Sequence, residues 1–224
     1  MLIRLAVFDI AGTTLSDNNA VAKAFQQAFR MNGFAVTQEK IKPVMGYKKT
    51  VAIRMVLEKM NEEATEKLVN KIHEDFVNEM IDYYEYDPSV RPMAAAENVF
   101  QYCKEKGIRT ALNTGFSKEI AQTILHRLQW KEKGLVDDCI ASDEVKEGRP
   151  HPYMIEQLMY RAGIDDPMEV VKIGDTEADV NEGRNAGCGL VVAVTTGAYT
   201  REQLEVYKPD HILDSLDELP ALIR

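Results

Sequence analysis

The chain reads as an α/β fold: a parallel sheet covered by helices on both faces, with a small helical unit inserted after the first strand. Three observations carry that reading. Short apolar runs rich in β-branched residues alternate with helical periods, the pattern of strands buried on both faces. Residues 16–90 interrupt the alternation with helical stripes and no convincing strand. The length of 224 residues exceeds a typical domain of roughly 150, which fits one domain carrying a modest insertion.

Each element has its own signal along the chain. Residues 2–8 (LIRLAVF) form the first strand-like run; it ends in Asp9 and lacks a cleavage pattern, so it reads as a strand and not a leader. In the insert, Ala22, Phe25, Gln26 and Phe29 suggest a helix stopped near Gly33, residues 50–60 suggest another, and Leu68, Ile72, Phe76, Met80 and Tyr84 form one helical stripe. These stripes read as core packing. Residues 87–92 (DPSVRP) are the return linker. Strand-like runs then recur at 108–113, 138–141, 170–173, 190–194 and 211–213. Helical segments recur at 92–106, 117–130, 151–163, 177–187, 201–207 and 215–223. The expected division is a core of residues 1–15 and 91–224 and a helical unit of residues 16–90.

Composition closes off several functions. Lys and Arg number 27 against 36 Asp and Glu, a net charge of −9, which argues against the basic face a nucleic-acid binder needs. No run approaches the ~18 apolar residues of a membrane span. Cys103, Cys139 and Cys188 fit neither a disulfide framework nor a zinc pattern and read as reduced core residues of a cytoplasmic protein. The four histidines, 73, 126, 151 and 211, show no metal spacing, and His151 reads as a helix-start residue. Tyr83, Tyr84 and Tyr86 read as packing at the exit of the insert, and Trp130 as an anchor.

Chemistry gathers where strands would end. Asp9-Ile10-Ala11-Gly12-Thr13-Thr14, Asn113-Thr114-Gly115 and Gly174-Asp175-Thr176-Glu177-Ala178-Asp179 each lie at the end of a strand, and Lys146-Glu147-Gly148-Arg149-Pro150 opens a helix. Ligands of parallel sheets sit at the carboxyl ends of the strands. Asp9 and Asp175 can hold one Mg²⁺, which takes one or two carboxylates plus water and phosphate oxygens. Glycines 12, 115 and 174 let backbone N–H groups approach an oxyanion. Thr114 can donate a hydroxyl to a phosphoryl oxygen, and Arg149 or Lys146 can balance charge that builds up in transfer. Any one segment alone is a cap or a turn; four in this order are not a common coincidence.

The ordered set Asp9-x-Ala11-Gly12-Thr13-Thr14, Thr114-Gly115, Gly148-Arg149-Pro150 and Gly174-Asp175-Thr176-x-x-Asp179 resembles the haloacid dehalogenase superfamily over the whole chain. The resemblance implies a Rossmann-like core with residues 16–90 as a helical cap. It makes Asp9 the nucleophile that forms an aspartyl-phosphoenzyme. Thr114 would bind phosphoryl oxygen, and Arg149 would take the cationic position. Asp175 would complete a Mg²⁺ site with the Ala11 carbonyl, supported by Asp179. Gly12, Thr13 and Gly115 would line the phosphoryl pocket.

Most phosphatases of that superfamily carry an acid where this chain has Ala11. General acid help is worth about 10²–10⁴-fold, so another group protonates the leaving atom or the leaving group needs no proton. Asp-x-Ala-Gly-Thr-Thr resembles the phosphonoacetaldehyde hydrolase branch, which cleaves a carbon–phosphorus bond after a cap lysine forms an imine with the aldehyde. The branch motif places that lysine three residues after a Met-Gly pair, here Met45-Gly46-Tyr47-Lys48-Lys49, which selects Lys49, with Lys48 and Met45 beside it at the substrate. In the first turn of a helix the dipole disfavours a cation and lowers its pKa. The chain departs from the branch at Ala52, Phe116 and Asn19, where histidine, tyrosine and cysteine are expected.

The function expected is Mg²⁺-dependent hydrolysis of a small phosphorylated or phosphonylated metabolite. Carbon–phosphorus cleavage through Lys49 is weighed against cleavage of a phosphate monoester of the phosphoglycolate type, and against a non-catalytic phosphate-binding module. No nucleic-acid or membrane partner is expected. The oligomeric state stays open between monomer and homodimer.

Overall fold

A computed structural model describes residues 2–223. In chain order the elements are β1 (Leu5–Phe8), α1 (Ala20–Met31), α2 (Gln38–Ile41), a 3₁₀ turn over Lys42–Val44, α3 (Lys49–Lys59), α4 (Glu66–Tyr86), α5 (Ala96–Glu105), β2 (Arg109–Thr114), α6 (Lys118–Leu128), β3 (Asp138–Ala141), α7 (Tyr153–Ala162), β4 (Val170–Gly174), α8 (Glu177–Asn185), β5 (Leu190–Val194), α9 (Arg201–Glu205), β6 (His211–Leu213) and a 3₁₀ segment over Leu216–Ala221.

The strands form one six-stranded sheet in the order β3-β2-β1-β4-β5-β6, every pair parallel. This is a doubly wound α/β sheet. Its strand order reverses at β1, so β1 with its neighbours β2 and β4 frames the crevice at the carboxyl edge. Both faces are apolar, as the continuous runs require. Leu5, Val7, Val191 and Ala193 pack under α7 and α8, against Met154, Ile155, Leu158 and Val180. Ala6, Phe8, Leu112 and Ile173 face the opposite layer, where Phe100 meets Phe8 edge to face at 5.2 Å and Trp130 at 5.3 Å. Trp130 is fully buried, and its Nε1–H donates to Glu97 Oε1 at 2.9 Å.

Four helices lie between β1 and β2, ahead of α5. The chain leaves and returns at one point: Leu15 and Pro92 form an antiparallel bridge, with Ser16 N–H donating to Arg91 O and Met93 N–H to Thr14 O. The expected stripe of α4 buries Ile72, Phe76, Met80 and Tyr84 completely, while Leu68 stays half-exposed. Thr65 begins this helix by accepting the Leu68 N–H at 3.3 Å. Phe25 of α1 meets Phe76 at 5.5 Å, and Phe76 and Tyr84 reach Phe116 in the β2–α6 loop at 6.3 and 6.0 Å. One apolar cluster therefore runs from the inserted helices into the sheet layer.

Several elements differ from the sequence reading. Only the last four residues of the 2–8 run form strand. The expected helix at 215–223 is a 3₁₀ segment with Pro220 inside it, since proline supplies no N–H for an α-helical ladder. The short α2 and the 3₁₀ turn after it have no signal in the sequence, because four residues carry no readable period. Tyr86 is exposed where packing was expected, and Cys139 is half-buried where a core position was expected; all three cysteines are free thiols. No helix among the described residues is long and apolar enough to cross a membrane.

Candidate active site

The carboxyl edge of the sheet carries the expected residues. Asp9 directly succeeds β1, and its N–H continues the ladder to Ile173 O at 2.9 Å. Thr14 turns back and donates its hydroxyl to Asp9 O at 2.9 Å, which fixes the turn. Thr114 ends β2, and Asp175 stands just past β4. Asp9, Ala11, Gly12, Thr114, Gly115 and Asp175 all line one cavity of about 560 Å³, together with Met45, Gly46 and Lys49 from the inserted helices.

Asp175 is held at both oxygens. Thr13 donates its hydroxyl to Oδ1 at 3.0 Å, and the Ala198 N–H donates to Oδ2 at 2.7 Å. Gly12 makes room for it: the φ of +89° suits glycine, and a Cβ there would stand 2.8 Å from Asp175 Oδ2. Thr13 is fully buried and outside the cavity lining, so it braces Asp175 and does not meet a ligand as its place in the motif suggests.

Arg149 differs from expectation more sharply. It is 2 % exposed and does not line the cavity. Its Nε donates to Glu182 Oε2 at 3.0 Å and Nη1 to Asp9 Oδ1 at 2.6 Å, with Asp179 Oδ1 2.9 Å from Nη1. Nη2 donates to Asn113 O at 2.7 Å and to Asn113 Oδ1 at 2.6 Å. A guanidinium offers five N–H groups; four hydrogen bonds and the ion pair with Asp179 engage all three nitrogens within the buried cluster. Arg149 thus holds the Asp9 carboxylate from behind the cavity wall. Lys146 is exposed and outside the cavity.

Beneath Arg149 lies a buried polar cluster that sequence reasoning missed. Lys172 and Glu182 are both 0 % exposed. Lys172 Nζ donates to Asn113 Oδ1 at 2.7 Å and pairs with Asp179 Oδ1 at 2.9 Å and Glu182 Oε2 at 3.3 Å. Asn113 Nδ2 donates to both Glu182 oxygens at 2.9 Å. A lysine in the strand run VVKI was the available signal, since a cation at a doubly buried strand position requires a buried partner.

Asp179 also takes a different place. Its Oδ2 accepts from the Thr176 hydroxyl at 2.5 Å, and its Oδ1 faces Arg149 and Lys172. It does not line the cavity, and no three Asp, Glu, His or Cys side chains among the described residues converge as a metal-ligand group. Burial raises the Asp179 carboxyl, but Arg149 and Lys172 outweigh it and hold the group below the usual range.

The remaining carboxylates shift the other way. Burial outweighs Arg149 and raises Asp9 to about 6. Asp175 is raised well above the ordinary value by burial and by its proximity to Asp9 and Asp179. Asp9, Asp175, Asp179 and Glu182 set four carboxylates against the two cations Arg149 and Lys172, a formal excess of two negative charges in a buried cluster. That excess and the two oxygen-donor groups in the cavity, Asp9 and Asp175, fit a divalent hard cation.

The inserted helices complete the cavity wall. Gly46 has φ +84°, and a Cβ there would collide with the Thr176 side chain; a Cβ on Gly115 would stand 2.5 Å from Tyr47 O and 2.6 Å from Gly46 O. The loop before α3 is therefore seated between the β2 and β4 edges. It delivers Lys49, the first residue of α3, into the cavity at 4 % exposure. Lys49 Nζ lies 5.2 Å from the Phe116 ring and 5.9 Å from the Phe76 ring, and donates to Tyr47 O at 3.3 Å. Burial lowers its pKa to about 8 against the opposing pull of Asp9. Lys48 is half-exposed, lies beside Gly148 and does not line the cavity, contrary to its expected substrate contact. Asn19 and Phe116 line the cavity, while Ala52 is buried outside it; His151 is exposed and stacks on Tyr153.

A doubly wound sheet with a carboxylate after its first strand, and a helical insert directly behind that residue, defines a class of α/β hydrolytic cores. A model of the haloacid dehalogenase-like hydrolase family matches residues 6–193, and the chain belongs to that family of hydrolases. It is 27% identical to the phosphonoacetaldehyde hydrolase of Bacillus cytotoxicus, over 92% of this chain and 82% of that one. A phosphonoacetaldehyde hydrolase like protein of Oleispira antarctica superposes with a TM-score of 0.83 at 19% identity, covering 99% of this chain and 91% of that one. A chain of Lactobacillus delbrueckii provisionally named a phosphoglycolate phosphatase superposes at 0.81 with 23% identity, covering 100% and 99%. The two structural likenesses speak to the fold alone.

Proposed function

We propose that this hydrolase cleaves the carbon–phosphorus bond of a small phosphonate bearing an aldehyde, with Asp9 as nucleophile and Lys49 as imine-forming amine. One observation carries the reading: Lys49 is buried in the same cavity as Asp9, with its ammonium form destabilised to a pKa of about 8. A surface lysine has neither property. Residues 16–90 would act as a cap over a core of residues 1–15 and 91–224, excluding water and selecting the substrate.

The chain's own groups have distinct tasks. Arg149 holds Asp9 Oδ1, so the other oxygen of that carboxylate is left to attack phosphorus. Gly115 and the Thr114 hydroxyl, both in the cavity wall, would receive phosphoryl oxygens. Mg²⁺, held by Asp9, Asp175 and the Ala11 carbonyl, would supply charge neutralisation between carboxylate and phosphoryl group. Lys49 Nζ adds to the aldehyde carbon and loses its oxygen as water to give an iminium, which accepts the electrons of the breaking carbon–phosphorus bond as an enamine. A leaving group of this kind needs no acid at position 11, where Ala11 stands.

A second reading, hydrolysis of a small phosphate monoester, is favoured by Asn19 and Phe116, which line the cavity without a thiol or phenol. Phosphate release from phosphonoacetaldehyde and from phosphoglycolate, with Mg²⁺, separates the two. The imine reading expects turnover of the aldehyde that Lys49→Ala and Lys49→Arg both abolish. Turnover of phosphoglycolate alone, unaffected by Lys49→Arg, would establish the monoester reading.

A further inference from the structure

Imine formation and release need a proton carrier beside the lysine. The titratable side chains that line the cavity, among the described residues, are Asp9, Asp17, Glu39, Lys42, Lys49 and Asp175. Asp9 is occupied as nucleophile, Asp175 is held at both oxygens, and Lys49 is the amine itself. Glu39 is exposed, and Lys42 points its ammonium to the Tyr199 ring at 5.9 Å. Asp17 is the acid without a task.

Its placement suits one. Asp17 lies where the chain leaves the sheet edge for α1, and its Oδ1 accepts the Val21 N–H at 3.0 Å, which holds the carboxyl against the start of that helix. It is half-buried in the cavity wall that Lys49 enters from α3. The charged and titratable groups around it are Lys49 from α3, Lys23 from α1 and the buried Tyr84 hydroxyl from α4. Tyr84 is fully buried, and its hydroxyl has no hydrogen-bond partner among the described residues. Burial raises the Asp17 carboxyl above its ordinary range, with Lys49 pulling against it.

We propose that Asp17 is a catalytic residue that carries the protons of the Lys49 imine. This rests on the reading of Lys49 as the imine-forming amine. Lys49 Nζ adds its lone pair to the aldehyde carbon, and an ammonium proton passes to the carbonyl oxygen, giving a carbinolamine. Asp17, as the carboxylic acid, donates its proton to that hydroxyl. The C–O bond breaks, water leaves, and the nitrogen lone pair forms the C=N⁺ bond, with Asp17 left as carboxylate. After phosphoryl transfer the enamine carbon takes a proton from solvent water, regenerating the iminium. Water then adds to the C=N⁺ carbon and returns its proton to the Asp17 carboxylate, and collapse of this second carbinolamine frees the aldehyde and the Lys49 amine.

The test is the single-turnover rate of borohydride-trapped adduct from phosphonoacetaldehyde in the full chain. Asp17→Asn keeps an oxygen for the Val21 N–H, so α1 stays capped and the thermal transition stays in place. Its trapping rate is expected to fall about 10²-fold. Asp17→Glu is expected to recover to within about tenfold of the parent. Trapping by Asp17→Asn at the parent rate overturns the proposal, as does an Asp17→Glu protein as slow as Asp17→Asn. An unmodified chain that traps no adduct overturns the imine reading itself, which separates the two failures.

Discussion

The two sides of the cavity are built by opposite rules. On the sheet side, the charged groups have buried partners: Arg149 donates to Asp9, Glu182 and Asn113 and pairs with Asp179, and Asp175 is held at both oxygens. On the insert side, Lys49 makes one 3.3 Å hydrogen bond to Tyr47 O and otherwise sits over aromatic rings. A buried network that satisfies its members is rigid, whereas an amine over aromatic faces is desolvated yet free to react. The difference teaches a division of labour. The sheet edge holds its carboxylates in one geometry, and the insert brings one loosely held amine into the cavity, the division that the proposed function requires.

The comparison breaks first at Asp9. Asp9→Asn is expected to lower phosphate release by at least about 10⁴-fold while leaving Lys49 able to form its adduct. Next is Lys49→Arg, which keeps a cation but no nucleophilic amine; turnover of an aldehyde phosphonate should be abolished while Asp9 stays in place. Glu182→Gln probes the rigid side. It leaves Arg149 and Lys172 short of a buried counter-charge and should cost about 3–5 kcal/mol, read as a lowered denaturant midpoint. Gly46→Ala forces a positive φ and a collision with Thr176. It should cost about 1–3 kcal/mol and raise KM for the aldehyde more than it lowers stability of the sheet layer, measured by hydrogen exchange.

The smallest effect is in pH. The Lys49 pKa of about 8 lies below its ordinary value, so the free amine grows about tenfold per unit up to pH 8 and levels off above it. Imine formation should track that curve. Between about 8 and 10.5 the unfolded chain binds a proton that the folded chain does not, so this group makes stability rise with pH in that window.

Much of this site can be read along the chain, and the reasons for the exceptions are physical. Asp9, Thr114 and Asp175 are legible because a parallel sheet gathers the carboxyl ends of its strands along one edge. Lys49 is singled out by the resemblance of Met45-Gly46-Tyr47-Lys48-Lys49 to the branch motif, and of the two lysines it is Lys49 that lines the cavity. Lys172 in its strand run signals that a buried partner must exist, but the partner's identity, Glu182 in a helix, is not legible until the sheet brings the two together. The same holds for Arg149, whose partners Asp9, Asn113 and Glu182 come together only in the fold. Thr13 and Asp179 sit one layer behind their expected places for a related reason: spacing puts a residue near an edge but does not say which neighbour takes its oxygen.

The most direct measurement is peptide mass mapping after borohydride treatment with phosphonoacetaldehyde, on the parent chain and on Asp9→Asn. The division of labour predicts one reduced adduct, on Lys49, in both proteins. An adduct on Lys48, an adduct that needs Asp9, or no adduct at all would contradict it.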